Sequence, residues 1–383
     1  MKSDRLVYLD NAATSWPKPD AVLVAVEDAM TRAGANPGRG AYAMAIAASR
    51  LVHEARGSVA QLLHVTDPRN VILVSGCTEA CNMALKGFLD PGDRVVVSSM
   101  EHNSVARPLK ALAATGVEVV IVDADRTGWI DAGEFEEVVR AKRTKAVVCL
   151  HGSNVSGSIE PVADLADIAH AAGAAMIVDG AQGAGHLQVD VEALGVDAYA
   201  CSGHKGLLGP QGVGVLYLAP GFEPRETFQG GTGSSAAQDE QPMVRPDRYE
   251  AGTRNLPGIA GLGAAARFVA GHGEEIRRRE TALAGRLHEG VLAIGGYRVL
   301  GPALGEPRVP IVTVVHERID SDRLAFGLDR DFDIAARAGL HCAPWAHQTL
   351  GTDQTGALRL SLGWGTTEQD VDAVLAALET LVR

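Results

Sequence analysis

Residues 198–209 read AYACSGHKGLLG, an apolar run that ends in a lysine between two glycine-rich flanks. Lys205 is one of only seven lysines and the last along the chain, which otherwise takes its positive charge from arginine. Arginine keeps its proton, whereas lysine can lose it and attack a carbonyl group as a neutral amine. Taken alone, the segment favours an ordinary solvated loop lysine. Its setting at the end of a predicted strand also fits a Schiff-base lysine, and the rest of the sequence must decide between the two.

The bulk composition predicts a soluble globular protein of about two domains, since 46% of the 383 residues are apolar and 21% are charged. A formal net charge of −12 argues against nonspecific binding to nucleic acid or to anionic membranes. No apolar run is long enough to span a bilayer, and residues 1–5 do not resemble the start of a signal peptide. Five cysteines without a C-x-x-C pair make a disulfide framework unlikely, so we expect a reducing, cytoplasmic location.

Between about residues 70 and 220, short Val/Ile-rich runs alternate with helix-length segments. Runs of this kind are typical of strands buried on both faces, and the alternation predicts an α/β fold with a mainly parallel, doubly wound sheet. Residues 213–218 follow Lys205 too closely for a helical crossover, so we expect them to pair antiparallel with the preceding strand. The other predicted strands are 71–74, 94–97, 117–122, 146–150 and 175–178.

In the last third of the sequence, strand patterns and helix patterns no longer alternate regularly, which predicts a compact α+β domain. The Gly/Pro-punctuated stretch 252–258 marks the boundary, which gives a large domain over 16–256 and a small one over 257–383, with the segment 1–15 packing near the small domain. Helices are predicted at 21–33 and 43–63 before the sheet region, and at 258–270, 274–292, 320–328 and 368–383 after it; strands are predicted at 297–300, 309–315 and 357–362.

Polar side chains follow five of the predicted strands of the large sheet. Ligands of open α/β sheets bind beyond the carboxyl ends of the strands. The segments at those ends contain phosphate-type donors, a carboxylate, imidazoles and one amine, which predicts a single site where they converge. They are Ser75–Glu79, Ser98–Asn103, His151–Asn154, Asp179–Gln182 and Ser202–Lys205.

Two places are suited to binding anions. Residues 75–78 precede an apolar helix pattern, and the free N–H groups of a helix N-terminus favour a phosphate. Simple N-capping by Thr78 is the alternative, and this segment alone favours it. Arg359 begins an alternating strand in the small domain, where a guanidinium can hold a substrate carboxylate with two hydrogen bonds. A surface salt bridge is the usual alternative for such an arginine.

Two other residues are suited to a planar heterocycle. Asp179 ends an apolar run and should be partly buried, which is costly for a carboxylate without a cation or hydrogen bonds. It forms a structural salt bridge, or it keeps a heterocyclic nitrogen protonated, as pyridoxal phosphate requires. One helix-length crossover separates Asp179 from Lys205, which predicts neighbouring strands. His102, at another strand end, could stack on the ring or move protons, with a buried hydrogen-bonded histidine as the alternative.

Cys342 is the only cysteine in a Gly/Pro-punctuated segment, where His341 and Arg337 could lower the pKa of its thiol. Inert packing is the alternative for a lone cysteine, and we expect it for Cys81, Cys149 and Cys201. A metal site built from His341, Cys342 and His347 has too few ligands for closed zinc coordination, so no metal is predicted.

Six segments in this order resemble the fold-type I, class V aminotransferase superfamily, and specifically its cysteine desulfurase branch. Each segment is a weak signal alone, but six at family spacing along nearly the whole chain are strong. The short stretch around Cys342 is most similar to the type II group, which includes selenocysteine lyases. The six are Tyr8–Thr14, Glu101–Ser104, Asp179–Gln182, Ser202–Lys205, Glu250–Thr253 and His341–Ala343.

The resemblance implies a pyridoxal 5'-phosphate cofactor. By this resemblance Lys205 forms a Schiff base with the cofactor and moves protons, while His102 stacks on the ring and assists acid–base steps. Asp179 pairs with the pyridine nitrogen, and Gln182 bonds the phenolic oxygen. The remaining implied contacts hold the phosphate: Thr78, Ser202, His204 and the backbone of Cys77, with Thr253 reaching the phosphate of the other subunit of a homodimer.

The resemblance also implies the reaction. Asn154 and Arg359 face the substrate, L-cysteine, and Arg359 binds its carboxylate. Cys342 attacks the substrate sulfur, which leaves a persulfide on the enzyme and releases L-alanine, and a sulfur-acceptor protein is the expected partner. The nearest alternative is a selenocysteine lyase or C–S lyase that does not use Cys342. A noncatalytic sulfur-transfer scaffold is more remote, because a scaffold needs neither Lys205 nor Asp179.

Three positions depart from the pattern of the superfamily. Tyr42 stands where many relatives carry histidine, Arg254 replaces the proline usual after Thr253, and Cys77 replaces a threonine, alanine or asparagine. The last change places a second thiol beside the predicted phosphate site.

Overall fold

The computed structural model describes residues 6–234 and 239–383. Residues 1–5, from which we expected no signal peptide and which belong to the predicted segment 1–15, lie outside the described residues. Among the helices that are described, none is both long and apolar enough to cross a membrane.

Thirteen strands and ten α-helices make up the described part of the chain. The strands are β1 (Val7–Tyr8), β2 (Val71–Val74), β3 (Arg94–Ser98), β4 (Glu118–Val122), β5 (Ala146–Leu150), β6 (Ala175–Asp179), β7 (Ala198–Ser202), β8 (Gly214–Leu218), β9 (Tyr297–Leu300), β10 (Ile311–His316), β11 (Ile334–Ala335), β12 (Arg337–Gly339) and β13 (Ala357–Ser361). The helices are α1 (Asp20–Thr31), α2 (Ala43–Leu62), α3 (Cys77–Phe88), α4 (Asn103–Ala113), α5 (Ala132–Ala141), α6 (Val162–Ala171), α7 (Leu256–Ile294), α8 (Ser321–Phe332), α9 (Pro344–Thr349) and α10 (Glu368–Val382).

The large sheet has seven strands in the order β2-β8-β7-β6-β5-β3-β4. The pairs β4-β3, β3-β5, β5-β6 and β6-β7 are parallel, and β8 runs antiparallel to both of its neighbours, β7 and β2. This confirms the predicted mainly parallel sheet and the antiparallel pairing of the strand that follows Lys205. The carboxyl ends of β3, β5, β6 and β7 therefore lie at one edge of the sheet.

Both faces of this sheet are buried, which explains why its strands read as continuous apolar runs. Side chains alternate between the faces with a period of two residues. In β5, Val147 and Cys149 join the core on one side, while Ala146 and Val148 join the core on the other. The first core is covered by helices α2, α5, α6 and α7 and the second by α3 and α4. The buried sheet thus forms a rigid support for the loops at its carboxyl edge.

A second, four-stranded sheet has the order β12-β13-β10-β9, and all of its pairs are antiparallel. It packs against α8, α10 and the later part of α7 around a separate apolar core. β1 pairs in parallel with β11 beside this sheet. The division into domains at residues 256 and 257 stays a prediction, and α7 runs across that boundary.

Helix α7 is a single helix of 39 residues, so the prediction of two helices at 258–270 and 274–292 was wrong. Gly271 and Gly273 lie where we expected the break. A glycine inside a helix costs about 1 kcal/mol relative to alanine. The helix continues through both because its flanking turns pack against α1, α2 and α10, and such packing outweighs a cost of this size.

Candidate active site

A cavity of about 220 Å³ lies at the carboxyl edge of the large sheet, between that edge and the second sheet. It brings together residues from both halves of the chain and from the segment after β1. Eight of the predicted site residues line it: Cys77, Thr78, His102, Asn154, Ser202, His204, Lys205 and Arg359. The other lining residues are Ala12, Ala13, Ser104, Ala181, Arg337 and His341.

Asp179 and Lys205 follow adjacent parallel strands, because β6 and β7 pair with Asp179 opposite Ala200. The predicted neighbouring positions are therefore confirmed. Burial lowers the pKa of Lys205, the carboxylate of Asp179 opposes this shift, and the guanidinium groups of Arg359 and Arg337 add to it. The surroundings thus favour the neutral amine that nucleophilic attack on a carbonyl requires.

The carboxylate of Asp179 is buried and held by hydrogen bonds. Its Oδ2 accepts a bond of 2.7 Å from Ser104 Oγ, and its Oδ1 accepts one of 3.0 Å from the N–H of Ala181. Among the described residues, no lysine or arginine forms an ion pair with it. The salt-bridge alternative was wrong for this part of the chain. Like Gln182, Asp179 is buried beside the cavity rather than among the residues that line it.

His102 is half-buried beside this carboxylate. Its Nδ1 accepts a hydrogen bond of 3.0 Å from the N–H of Ser104 and lies 2.9 Å from Ser104 Oγ. Burial and then the positive charge of Lys205 lower the pKa of His102 to about 4. The imidazole is therefore neutral near pH 7 and can accept a proton. Ser104 connects His102 to Asp179, a role that the sequence analysis did not assign.

The N-terminus of α3 forms one wall of the cavity. The helix begins at Cys77 with Gly76 as its N-cap and has no side-chain cap, so the suggested N-capping by Thr78 was wrong. The free N–H groups of this first turn suit an anion. His204 lines the same cavity, and its Nδ1 is buried with no hydrogen-bond partner among the described residues. Burial lowers the pKa of His204 to about 4, with Lys205 and Lys18 adding to the effect.

Gln182 is buried beside the cavity rather than among the residues that line it. Its Nε2 donates a hydrogen bond of 2.9 Å to the carbonyl oxygen of Ala12. Its Oε1 is buried and has no partner within the described residues. One polar atom of this amide therefore lacks a partner in the protein itself.

Arg359 is almost fully buried, with 1% of its surface exposed. Its Nη2 forms an ion pair of 2.7 Å with Asp10 Oδ1, and its Nη1 donates a hydrogen bond of 3.2 Å to the carbonyl oxygen of Asn154. Asn154 in turn donates 2.8 Å from Nδ2 to the carbonyl oxygen of His341. A surface salt bridge was the alternative suggested by the sequence; the ion pair instead lies at the wall of the cavity and fixes the guanidinium there.

Cys342 is exposed, whereas Cys81, Cys149 and Cys201 are buried, as predicted. Cys77, the second thiol expected beside the phosphate site, is buried as well. It lies on the turn between β12 and α9, where His341 and Cys342 have positive φ angles of 48° and 59°. Arg337 donates a hydrogen bond of 3.1 Å from Nη2 to Cys342 Sγ, and Asn103 donates one of 2.8 Å from its N–H to the carbonyl oxygen of Cys342. The thiol lines a neighbouring groove of about 390 Å³ that shares Thr78, His102 and Ser104 with the cavity.

His341 and His347, the two histidines of the metal site that the sequence argued against, form a hydrogen bond with each other. His341 Nδ1 lies 3.1 Å from His347 Nε2, and His347 Nδ1 lies 2.7 Å from Thr352 Oγ1. Burial lowers the pKa of His341 to about 2 and that of His347 to about 4. This neutral, buried chain supports the turn that carries Cys342.

Thr253 is exposed and lies outside the cavity of its own chain, 3.4 Å from Asn36 Nδ2. Its predicted contact with a phosphate therefore depends on a second subunit. The neighbouring Arg254 forms an ion pair of 2.5 Å with Glu250, which also pairs with Arg56. Arg254 is thus held by its own chain. Tyr42, another departure from the superfamily pattern, is exposed at the start of α2.

The family comparisons cover nearly the whole chain. The aminotransferase class-V family matches residues 7–374. A protein of Halalkalibacterium halodurans named probable cysteine desulfurase is 36% identical over 98% of this chain and 92% of its own length. Its namesake in Methanothermobacter thermautotrophicus is 34% identical over 98% of this chain and 94% of its own length.

Solved structures give the same result. The apo structure of a cysteine desulfurase from Thermococcus onnurineus has a TM-score of 0.92 and 30% identity, covering 100% of this chain and 99% of the other. The crystal structure of the cysteine desulfurase CsdA from Escherichia coli has a TM-score of 0.87 and 31% identity, covering 98% and 94%. The chain therefore belongs to the aminotransferase class-V family, with the fold-type I architecture that its cysteine desulfurases share.

Proposed function

We propose that this protein is a pyridoxal-phosphate-dependent cysteine desulfurase that converts L-cysteine to L-alanine and holds the sulfur as a persulfide on Cys342. The observation that supports it best is one arrangement of three residues. Lys205 lines the cavity, Asp179 is buried at the end of the adjacent strand, and Cys342 lies exposed in the neighbouring groove.

The residues present fit the cofactor. Asp179 lacks an ion-pair partner in the described chain, His204 Nδ1 lacks a hydrogen-bond partner there, and the first turn of α3 has no side-chain cap. These three groups would hold a pyridinium nitrogen and a phosphate. Thr78, Ser202 and the backbone of Cys77 would lie beside the phosphate, Gln182 has one amide atom, Oε1, without a partner in the described chain, and Lys205 offers its amine. When bound, pyridoxal phosphate withdraws electrons from the α-carbon of an amino acid.

Arg359 and Asn154 would bind the substrate. The guanidinium of Arg359 is fixed by Asp10, and its Nε has no partner within the described residues. A planar guanidinium held in this way can bind the carboxylate of an amino acid through charge-assisted hydrogen bonds. A substrate whose carboxylate is bound by Arg359 could point its side chain toward the neighbouring groove, which Cys342 lines.

Lys205 and His102 would move the protons. Burial keeps the amine of Lys205 ready to lose and regain a proton, and the imidazole of His102 is neutral near pH 7. Both groups line the cavity, so each can accept or return a proton at the substrate or at a leaving atom.

Cys342 would take the sulfur. Its thiolate Sγ attacks the sulfur of bound cysteine, so that a new S–S bond forms while the C–S bond of the substrate breaks. The electron pair of the broken bond stays with carbon, which takes up a proton to become the methyl group of alanine. Arg337 Nη2, 3.1 Å from Cys342 Sγ, would stabilise the thiolate before the attack.

The exposure of two residues supports the partners that we propose for the reaction. Cys342 is accessible from outside, so a thiol of an acceptor protein can reach its persulfide. Thr253 is exposed away from its own cavity, which suits a homodimer in which it reaches the phosphate of the other subunit. All five cysteines are free, which suits a reducing compartment such as the cytoplasm.

The test compares products from L-cysteine and L-selenocysteine on the parent enzyme and on Cys342→Ser. The proposal requires one alanine per sulfur, a persulfide on the parent, and loss of sulfur release from cysteine in the variant. Cys149→Ala, which removes a buried thiol, is the control and should behave like the parent. If Cys342→Ser releases sulfide from cysteine at the parent rate, the activity is that of a C–S or selenocysteine lyase. A protein that refuses the cofactor and turns over neither substrate would be a noncatalytic scaffold.

A further inference from the structure

A second group of thiols lies away from Cys342: Cys77 lines the cavity, and Cys81 is buried next to it. Cys77 and Cys81 are buried on one face of α3, because residues four apart in a helix lie one above the other. Their sulfur atoms are 3.8 Å apart. Asp179 projects between them from the end of β6, with Oδ1 at 3.3 Å from Cys77 Sγ and Oδ2 at 3.9 Å from Cys81 Sγ. All three side chains are buried.

These distances match the edges of a tetrahedral metal site. Zinc–sulfur bonds of about 2.3 Å and zinc–oxygen bonds of about 2.0–2.2 Å place two sulfur ligands about 3.8 Å apart and a sulfur and an oxygen about 3.5–3.7 Å apart. The observed sulfur–sulfur separation is 3.8 Å, and the two oxygens of Asp179 lie 3.3 Å from Cys77 Sγ and 3.9 Å from Cys81 Sγ, on either side of the tetrahedral value. One ion would bind after the side chains rotate so that a single carboxylate oxygen faces both sulfurs.

The other buried cysteines show how an inert thiol is placed. Cys149 and Cys201 lie in the core on the opposite face of the sheet, and Cys149 donates its hydrogen bond to the carbonyl oxygen of Leu150. In contrast, both thiols of the α3 pair point at one carboxylate. A cation that replaces the two thiol protons would meet three anionic ligands at once.

The charges around the cluster permit such an ion. Both thiols are placed to donate hydrogen bonds to the carboxylate of Asp179, so they carry their protons when no metal is bound. Binding to a divalent metal would displace both protons. Two thiolates, one carboxylate and a divalent ion carry a net charge of −1, and the guanidinium groups of Arg359 and Arg337 line the adjacent cavity.

We propose that Cys77, Cys81 and Asp179 bind one thiophilic divalent cation, such as Zn²⁺ or Cd²⁺, when the cofactor is absent. Three protein ligands leave a fourth coordination position for water or another small ligand. Since Asp179 is also the residue proposed to hold the pyridinium nitrogen, the cation and the cofactor exclude each other; this second statement rests on the proposed function. The thiol pair would thus make cofactor loading sensitive to soft metals.

The test uses the full chain freed of cofactor and carrying Cys342→Ser, which removes the exposed thiol. Titration with Cd²⁺ should produce thiolate-to-cadmium absorbance in the ultraviolet, saturating at one ion per chain with release of two protons. Adding Cys77→Ala or Cys81→Ala should weaken binding roughly 100-fold or more, as expected for the loss of one thiolate ligand. Cys149→Ala and Cys201→Ala are matched controls and should leave the titration unchanged. Circular dichroism on each variant checks that it is folded.

Equal Cd²⁺ binding by the parent and by the double variant Cys77→Ala, Cys81→Ala would overturn the site. A second arm adds pyridoxal phosphate to the Cd²⁺-loaded protein. Cofactor absorbance should return slowly in the Cys342→Ser protein and at the metal-free rate in the double variant. Simultaneous binding of metal and cofactor would overturn their exclusion. If Cd²⁺ binds as described but the metal-free protein takes up no cofactor, the metal site stands and the proposed function fails.

Discussion

Arg337 donates a hydrogen bond of 3.1 Å from Nη2 to the sulfur of Cys342. Arg337 lies at the start of β12, and β12 pairs with β13, the strand that carries Arg359. The same small sheet therefore sets the position of the cation beside the thiol and of the cation proposed to bind substrate. The two roles proposed for these residues, activation of the thiol and orientation of the substrate, therefore depend on one register of strand pairing.

Replacing Arg337 should slow the chemistry of Cys342. A hydrogen bond to a charged group contributes about 1.5–3 kcal/mol, and solvent screening at this partly exposed site reduces that contribution. We expect Arg337→Leu to slow alkylation of Cys342 by iodoacetamide at neutral pH roughly 5-fold, and persulfide formation by a similar factor. The measurement is simple because the other four cysteines are buried.

Arg337→Lys should restore part of the alkylation rate because it keeps the charge. Arg298→Leu, an exposed arginine on β9 away from the thiol, is the control and should leave the rate unchanged. Alkylation of Arg337→Leu at the parent rate would show that the hydrogen bond does not activate the thiol.

Lys205→Ala should abolish the absorbance band of the protein-bound cofactor, which lies at longer wavelength than the ultraviolet absorbance of the protein itself. The variant lacks the only amine among the residues that line the cavity, while the groups proposed to hold the phosphate remain. Absorption spectra after incubation with pyridoxal phosphate and gel filtration give the result.

Lys18→Ala is the matched control for Lys205→Ala. Lys18 lies close by, with Nζ bonded to Ser15 Oγ and to the carbonyl oxygen of His204. The Lys18→Ala variant should keep the band, because the amine of Lys18 bonds to the carbonyl oxygen of His204 and does not line the cavity. A band that survives in Lys205→Ala and disappears in Lys18→Ala would reassign the reactive lysine.

Arg359→Lys should raise the KM for L-cysteine about 10- to 100-fold while cofactor absorbance stays. Lysine keeps the positive charge but loses the planar fork that suits a carboxylate, so the binding of the substrate suffers more than that of the cofactor. Steady-state alanine formation gives KM and kcat separately. An unchanged KM would place the substrate carboxylate elsewhere in the cavity.

Much of the large sheet was predictable because its strands are buried on both faces, which leaves unbroken Val/Ile runs in the sequence. The same runs located Asp179 and Lys205 on neighbouring strands, since the chain order of parallel strands constrains which ends can meet. The prediction of two separate helices in the last third of the chain was wrong, because contacts with distant helices determine where that helix ends. Helix α7 continues through Gly271 and Gly273 because neighbouring helices support it.

The contacts that the sequence did not reveal join distant parts of the chain. Asp10 fixes Arg359 across 349 residues, and no local pattern marks such a pair. Ser104 reaches Asp179 across 75 residues from the first turn of α4. The sequence offered one indication of this role: Ser104 comes two residues after His102, at the start of a helix. A side chain that acts by positioning another residue is harder to recognise in a sequence than the residue that it positions.

Glu101 gives a prediction for stability that is independent of catalysis. The side chain is fully buried, Oε1 accepts hydrogen bonds from Ser98 Oγ at 2.5 Å and from the N–H of Leu150 at 2.9 Å, and Oε2 has no partner in the described chain. Burial raises the pKa of Glu101 to about 8. The folded protein therefore holds a proton here that the unfolded chain loses above its ordinary pKa near 4.5.

Because the folded-state pKa is raised, the stability contributed by this proton is fully present below about pH 4.5 and is lost as the pH rises to about 8. One such proton contributes a slope of up to about 1.4 kcal/mol per pH unit. Glu101→Gln keeps the shape and cannot ionise, so it should flatten the decline in unfolding free energy between pH 5 and 8 by about that slope. Urea unfolding at several pH values measures it, with the exposed Glu137→Gln as the control. Parallel curves for the parent and Glu101→Gln would mean that Glu101 is ionised in the folded protein, and the orphaned Oε2 would then have to face a cation or water.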